Sequence, residues 1–175
     1  MGSRVFIGLR AGEAFRKKAA TFRELHTGLP VRWIPPENLH VTLVPPWYCD
    51  DTGEVCRKLH DHLDGIGAFD VCFNLISVGP TARKPRLIWA SGGAHRGLGE
   101  LQAILSGLVD PAAAPAGRTF LLHVTLARMK GREKVRFSPE EVDWRIRLDS
   151  VCLYESILLP SGAEYRVLCT AGLST

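Results

Sequence analysis

The tetrapeptide His-Val-Thr-Leu occurs twice in the chain, at 40–43 within NLHVTLVPP and at 123–126 within LLHVTLARM, roughly half the sequence apart. That spacing constrains the architecture more than any other feature. It is too long a period for a stacked solenoid and fits an internal duplication, two weakly similar halves around a pseudo-twofold axis. With 175 residues, 46% of them hydrophobic, the chain can bury one core or two small lobes sharing one. We therefore expect a single domain over 1–175, with lobes of roughly 1–80 and 81–175 between which strands can exchange.

The hydrophobic pattern repeats the same plan in each half. RVFIGLR reads as a strand, and AGEAFRKKAATFRELHTGL as a helix with Phe15, Ala19, Phe22 and Leu25 on one stripe. VRWIPPENLHVTLV then gives a short extended piece, a Pro-Pro turn and the first HVTL strand. A helix over 52–66 carries Val55, Leu59, Leu63 and Ile66, and FDVCFNLISVG alternates as a strand. In the second half RLIWASG is a strand, and RGLGELQAILSGLVD is a helix burying Leu98, Leu101, Leu105 and Leu108. FLLHVTLAR is the second HVTL strand. SPEEVDW opens like a capped short helix with proline in its first position. IRLDSVCLYES and EYRVLCTAGL close the chain as two strands joined by LPSGA.

On a strand, residues two apart share a face, about 7 Å between alpha carbons. Each HVTL thus turns Val and Leu toward a core and His and Thr toward a cleft. One His-x-Thr is ordinarily the polar face of a sheet. Two copies at half-chain spacing bring two imidazoles and two hydroxyls, from His40, Thr42, His123 and Thr125, around one central point. A phosphate has the size and the acceptor oxygens to fill that point.

The other histidines carry less. His60 and His62 diverge on a helix, and His26 and His95 sit near helix ends, so all four are read as structural. The five cysteines, at 49, 56, 72, 152 and 169, are odd in number with no CxxC spacing, and read as buried thiols in a reducing cytoplasm. Apart from the tract PAAAPAG, nothing in the composition suggests low complexity. The apolar run Val5 to Leu9, between two arginines, is too short for a signal peptide or a membrane helix.

The net charge of +4 tolerates a polyanionic partner without demanding one. Its distribution is more telling, since Arg128, Lys130, Arg132, Lys134 and Arg136 fall at every second position after the second HVTL. Extended, they form either a phosphate-contacting ribbon or a solvated hairpin arm.

The paired motifs, together with RWIPPENLHVTL, PRLIWASG, LHVTLAR and LYESILLPSGAEYRVL, resemble the two-histidine (2H) phosphoesterase superfamily, and within it the RNA 2',3'-cyclic phosphodiesterases first named 2'-5' RNA ligases. The likeness covers nearly the whole chain. It implies an α+β, pseudo-twofold, two-lobed fold in which each lobe is a small antiparallel sheet with helices outside and the cleft between lobes holds both motifs. It also implies the reaction: a 2',3'-cyclic phosphate at an RNA 3' end is opened by water to a 2'-phosphate, without metal or nucleotide cofactor. The partner would be RNA with such an end, tRNA fragments among them, met by a cytoplasmic monomer.

By that resemblance His123 would activate water and His40 would protonate the leaving oxygen, although the pseudo-twofold makes the reverse assignment nearly equivalent. Thr42 and Thr125 would donate to the non-bridging oxygens, and Arg128, matching the arginine that commonly ends the second motif, would add a fixed positive charge. Microscopic reversibility adds a weak, ATP-independent 2'-5' ligation. The sequence departs from the family in VPPWYCDD, where a Phe-Leu-Gly-type segment is usual. Trp47 and Tyr48 there either stack on the terminal base or pack the rim, with Lys130 a further candidate contact. The alternatives are the same chemistry on a 2'-5' oligoadenylate or a small cyclic nucleotide phosphate, or a non-catalytic module that grips an RNA end.

Overall fold

Strand β1 (Ser3–Arg10) is buried at every position from Val5 to Leu9, as a strand covered on both faces requires. The computed structural model describes residues 2–81, 83–109, 120–130, 135–160 and 162–174. After β1 come α1 (Glu13–Leu25), β2 (Val31–Trp33), a 3-10 turn at Pro36–Asn38, β3 (His40–Cys49), α2 (Thr52–Leu63) and β4 (Phe69–Gly79). The chain continues through β5 (Leu87–Gly92), α3 (Arg96–Val109), β6 (His123–Met129), β7 (Glu140–Leu148), β8 (Ser150–Leu159) and β9 (Gly162–Gly172).

The strands form two antiparallel sheets, in the orders β3-β1-β8-β9 and β2-β6-β5-β4-β7. The fold is thus α+β with two sheets, one per lobe. Each lobe draws on both ends of the sequence: β8 and β9 join β1 and β3, while β2 and β4 join β5, β6 and β7. Strand exchange between the sequence halves is therefore extensive. The duplication is visible in the pairing, because each HVTL strand lies antiparallel to the strand that precedes it by one helix, β3 on β1 and β6 on β5.

The two faces of β1 divide the labour of its sheet. Val5, Ile7 and Leu9 enter the main core with Val41, Leu43 and Val44 of β3, whereas Phe6 joins Tyr154 and Cys152 of β8 on the opposite face. Helix α1 buries Phe15 and Phe22, two turns apart, and Phe15 meets Phe73 and Trp144 edge-on at 5.0 and 5.4 Å. Leu25, expected on that stripe, is the last residue of the helix and is 77% exposed. In α2 the Asp51 side chain caps the first turn, accepting from the Glu54 N–H at 2.8 Å, and Val55, Leu59 and Leu63 are buried. Helix α3 buries Leu98, Leu101 and Leu105, and Gln102 Nε2 donates to the Leu43 carbonyl at 2.9 Å, fixing the helix behind the first HVTL strand.

Two expectations change. Glu140–Leu148 is strand β7, not a helix: the alternation of EEVDWRIRL buries Trp144, Ile146 and Leu148 against β4 and outweighs the local cap signal of Ser138 and Pro139. The closing segment then folds as β7 and β8 with a break at Asp149, so the first of the two expected strands is divided. Second, Cys56 of α2 and Cys169 of β9 form a disulfide, so these two are not free thiols. They are 113 residues apart, and pairing at such range comes from the packing of α2 on β9, which linear spacing does not reveal. Cys49, Cys72 and Cys152 are free, and Cys72 is exposed where a buried thiol was expected.

The tract PAAAPAG and the basic positions Arg132 and Lys134 lie outside the described residues. Among the described residues no helix is long and apolar enough to cross a membrane.

Candidate active site

The two HVTL strands share a backbone irregularity that sets which side chains reach the cleft. In β3 the ladder steps from Thr42 opposite Gly8 to Val44 opposite Ile7, leaving Leu43 as an extra residue. In β6 it steps from Thr125 opposite Trp89 to Ala127 opposite Ile88, leaving Leu126 extra in the same way. Such a bulge reverses the alternation of faces beyond it. Val41, Leu43 and Val44 are all buried, as are Val124, Leu126 and Ala127. Arg128, which strict alternation from Thr125 would turn to the core, is thereby returned to the cleft side.

His40, Thr42, His123, Thr125 and Arg128 line one cleft of about 550 Å³. Both imidazoles are held alike. His40 Nδ1 donates to the Asn38 carbonyl at 2.6 Å, and His123 Nδ1 donates to the Leu121 carbonyl at 3.0 Å. A carbonyl only accepts, so each Nδ1 carries a hydrogen and each neutral ring keeps its lone pair on Nε2. His40 Nε2 lies 3.1 Å from the Thr42 hydroxyl. The Asn38 carbonyl is set by the 3-10 turn after the Pro-Pro pair, and the Ile34 N–H donates to the Leu126 carbonyl at 2.9 Å, tying the approach to β3 onto the second HVTL strand.

The walls make the two histidines unlike. His40 is surrounded by aromatic rings, with Phe6, Tyr165 and Tyr154 at centroid distances of 4.7, 5.4 and 5.6 Å. Burial among them pushes His40 down to about 4, opposed by the Asn38 carbonyl and reinforced by the positive charges of His123 and Arg128. Burial likewise pushes the Tyr154 phenol up, which keeps it protonated. His123 has one aromatic neighbour in the cleft, Trp89 at 4.9 Å. The indole of Trp89 lies against Gly79, where a Cβ would come within 2.6 Å of Cζ2, and Nε1 donates to Ser77 Oγ at 3.2 Å.

Trp47, Tyr48 and Lys130 do not line the cleft. Trp47 is opposite Val5 at the far end of β1, five residues and about 16 Å along the strand from Thr42, and packs on the main core. Tyr48 is 74% exposed, and Lys130 lies exposed beyond the end of β6. The aromatic walls that sequence reasoning missed are Phe6, Trp89 and Tyr165. The duplication carried a usable signal for one of them, since pairing β5 with β6 as β1 pairs with β3 sets Trp89 opposite Thr125 where Gly8 stands opposite Thr42. Among the described residues no group of three or more His, Cys, Asp or Glu is arranged to hold a metal ion.

Comparison with known proteins yields a family and a fold. Residues 12–157 match the family model described as the 2'-5' RNA ligase superfamily. The chain is 30% identical to an Aeropyrum pernix protein named RNA 2',3'-cyclic phosphodiesterase, over 82% of this chain and 86% of that relative. It is 24% identical to an Archaeoglobus fulgidus protein of the same name, over 94% and 97%. Among solved structures, one from Thermus thermophilus superposes with a TM-score of 0.79 at 23% identity, covering 97% of each chain. Escherichia coli LigT in complex with ATP superposes with a TM-score of 0.73 at 23% identity over the whole of both.

Proposed function

The chain belongs to the 2'-5' RNA ligase superfamily, and from that premise we propose that it hydrolyses 2',3'-cyclic phosphates at RNA 3' ends to 2'-phosphates. The observation that carries the reading is the pair of histidines on one cleft, each with Nδ1 committed to a backbone carbonyl, so that Nε2 is the nitrogen available to a substrate, that of His40 lying 3.1 Å from the Thr42 hydroxyl. Two groups that can move protons through the same ring atom are what an in-line opening of a cyclic phosphodiester needs, one on the side of the attacking water and one on the side of the leaving oxygen.

The aromatic enclosure of His40 supports it as the base, the reverse of the assignment drawn from the family resemblance. A ring held down to about 4 is neutral at physiological pH and ready to accept a proton. Water attacks phosphorus as His40 Nε2 takes its proton. The bond from phosphorus to O3' breaks as His123 Nε2–H gives a proton to that oxygen, and solvent restores both rings. Thr42 and Thr125 donate to the non-bridging oxygens, and Arg128 holds a positive charge beside them. A donor of this kind in a water-poor site contributes about 3 kcal/mol to the barrier reduction. If a 5'-hydroxyl replaces water, the same steps leave a 2'-5' linkage, a weak ligation that needs no ATP.

The test is to incubate the protein in excess EDTA with a short RNA ending in a 2',3'-cyclic phosphate and to identify the product by phosphorus NMR. We expect a 2'-phosphate from the unaltered protein and losses of several orders of magnitude in His40→Gln and His123→Gln. A cyclic end that survives sinks the reading. The assignment of roles is separable with a substrate carrying sulfur in place of O3'. A thiolate leaves without protonation, so this substrate rescues His123→Gln and not His40→Gln, and rescue of His40→Gln instead reverses the roles.

A further inference from the structure

A second cleft, of about 510 Å³, opens from the first and shares Ile34, Asn38, Arg128 and Tyr165 with it. Its far wall is built by β2 and by the start of β9, which contribute Arg32 and Trp33 on one side and Gly162 on the other. Arg32 of β2 is directly opposite Arg128 of β6 in the sheet. Directly opposed residues share a face of the sheet with Cβ atoms about 5 Å apart, so the two arginines project to the same side. Strand β2 is only three residues long and lies at the sheet edge.

The backbone makes room for this arrangement. Gly162 has φ of +131°, which favours glycine, and a Cβ there would stand 2.7 Å from Arg32 Nη1, so the guanidinium runs close across the glycine. Glu37 and Glu164 also line the second cleft, so its wall carries charges of both signs. Tyr165, which lines both clefts, offers ring surface within the same volume.

We propose that this second cleft is a subsite for the nucleotide upstream of the reacting end, with the internucleotide phosphate on Arg32 and Arg128 and the upstream base against Tyr165. The inference rests on the cyclic phosphodiesterase reading and narrows it to polynucleotide ends. Arg128 lines both clefts, so it links the reacting phosphate to the next one along the chain. A mononucleotide cyclic phosphate fills the first cleft alone and forgoes the second.

The experiment compares kcat/KM for a mononucleotide 2',3'-cyclic phosphate with that for a dinucleotide bearing the same end, in the unaltered protein and in Arg32→Gln, across a salt series. The dinucleotide should be preferred at least tenfold. Arg32→Gln should remove most of that preference through KM while mononucleotide turnover moves less than twofold. The log-log salt slope for the dinucleotide should flatten by about 0.7, the value for one phosphate contact on a single strand. Equal turnover of both substrates by the unaltered protein overturns the subsite and leaves the hydrolase standing. So does a dinucleotide preference that Arg32→Gln does not touch. Turnover of neither substrate overturns the hydrolase reading and the subsite with it.

Discussion

Lowering the pH tests the feature on which the division of labour in the cleft depends, the burial of His40. With a folded-state value of about 4 against 6.5 for an unburied histidine, the folded protein binds fewer protons at this site than the unfolded chain throughout that interval. Stability from the neutral ring is therefore complete above pH 6.5 and is lost as the pH falls toward 4. The size follows from the two values: about 2 kcal/mol is lost by pH 5 and about 3 kcal/mol by pH 4. The perturbation is His40→Gln, which removes the titrating ring, and the assay is guanidinium denaturation of both proteins at pH 7.5 and pH 5. Carboxylates elsewhere titrate equally in the two and cancel in the difference. We expect the unaltered protein to lose about 2 kcal/mol more than the variant between those pH values. Titration of the labelled imidazole by NMR provides the direct reading. Parallel losses in the two proteins, or a His40 resonance that titrates near 6.5, would refute the argument that the aromatic wall keeps this ring neutral.

Gly8→Ala should fold but lose activity out of proportion to stability: its Cβ would stand 2.9 Å from the Val41 carbonyl and 3.2 Å from His40 Cδ2. The cost is about 1 to 3 kcal/mol by calorimetry with kcat reduced tenfold or more, and unchanged kcat would show that His40 tolerates displacement. Thr42→Val and Thr125→Val should each lower kcat by about 10² to 10³ and KM by little, measured on the cyclic-ended RNA. Thiol counting by mass spectrometry under non-reducing and reducing conditions should find three and five free thiols, the difference being Cys56 and Cys169. Breaking that link with Cys169→Ser should lower stability by up to about 4 kcal/mol, because it closes a loop of more than a hundred residues.

What could be read from the sequence was whatever repeats or alternates locally. The two HVTL segments, their threonines and Arg128 all reach the cleft, and most of the helical stripe residues of α1, α2 and α3 are buried, with Ala19, Ile66 and Leu108 half-buried against the core and Leu25 exposed at a helix end. The failures are long-range. Ser138 and Pro139 are a local start signal, and it lost to a register with β4 some seventy residues earlier that buries Trp144 and Ile146. Trp47 and Tyr48 follow the first motif closely in sequence, yet Pro46 is the last residue of that run to border the cleft, Trp47 packs on the main core and Tyr48 is exposed. Phe6 and Tyr165 arrive beside His40 from strands at opposite ends of the chain, and nothing in either local segment marks them. Arg128 was matched by family likeness alone. Its physical reason is the bulge at Leu126, which no alternation rule contains.

The same bulges show how a duplicated unit becomes an asymmetric site. Each HVTL strand carries its extra residue at the same place, so the fifth residue after each histidine occupies an equivalent position. That residue is Pro45 in the first copy and Arg128 in the second. Each histidine gives Nδ1 to the carbonyl two residues before it, so the orientation of the catalytic nitrogen is common to both. What differs is the surrounding wall. Opposite Thr42 the neighbouring strand has Gly8, and the space is taken by Phe6, Tyr154 and Tyr165 around His40. Opposite Thr125 it has Trp89, which is anchored over Gly79 beside His123. A symmetric pair would give both rings one proton affinity and both the same role. The aromatic enclosure lowers His40, and the arginine adds charge from one side only, so in the proposed reaction one duplicated motif supplies an acceptor and its copy a donor.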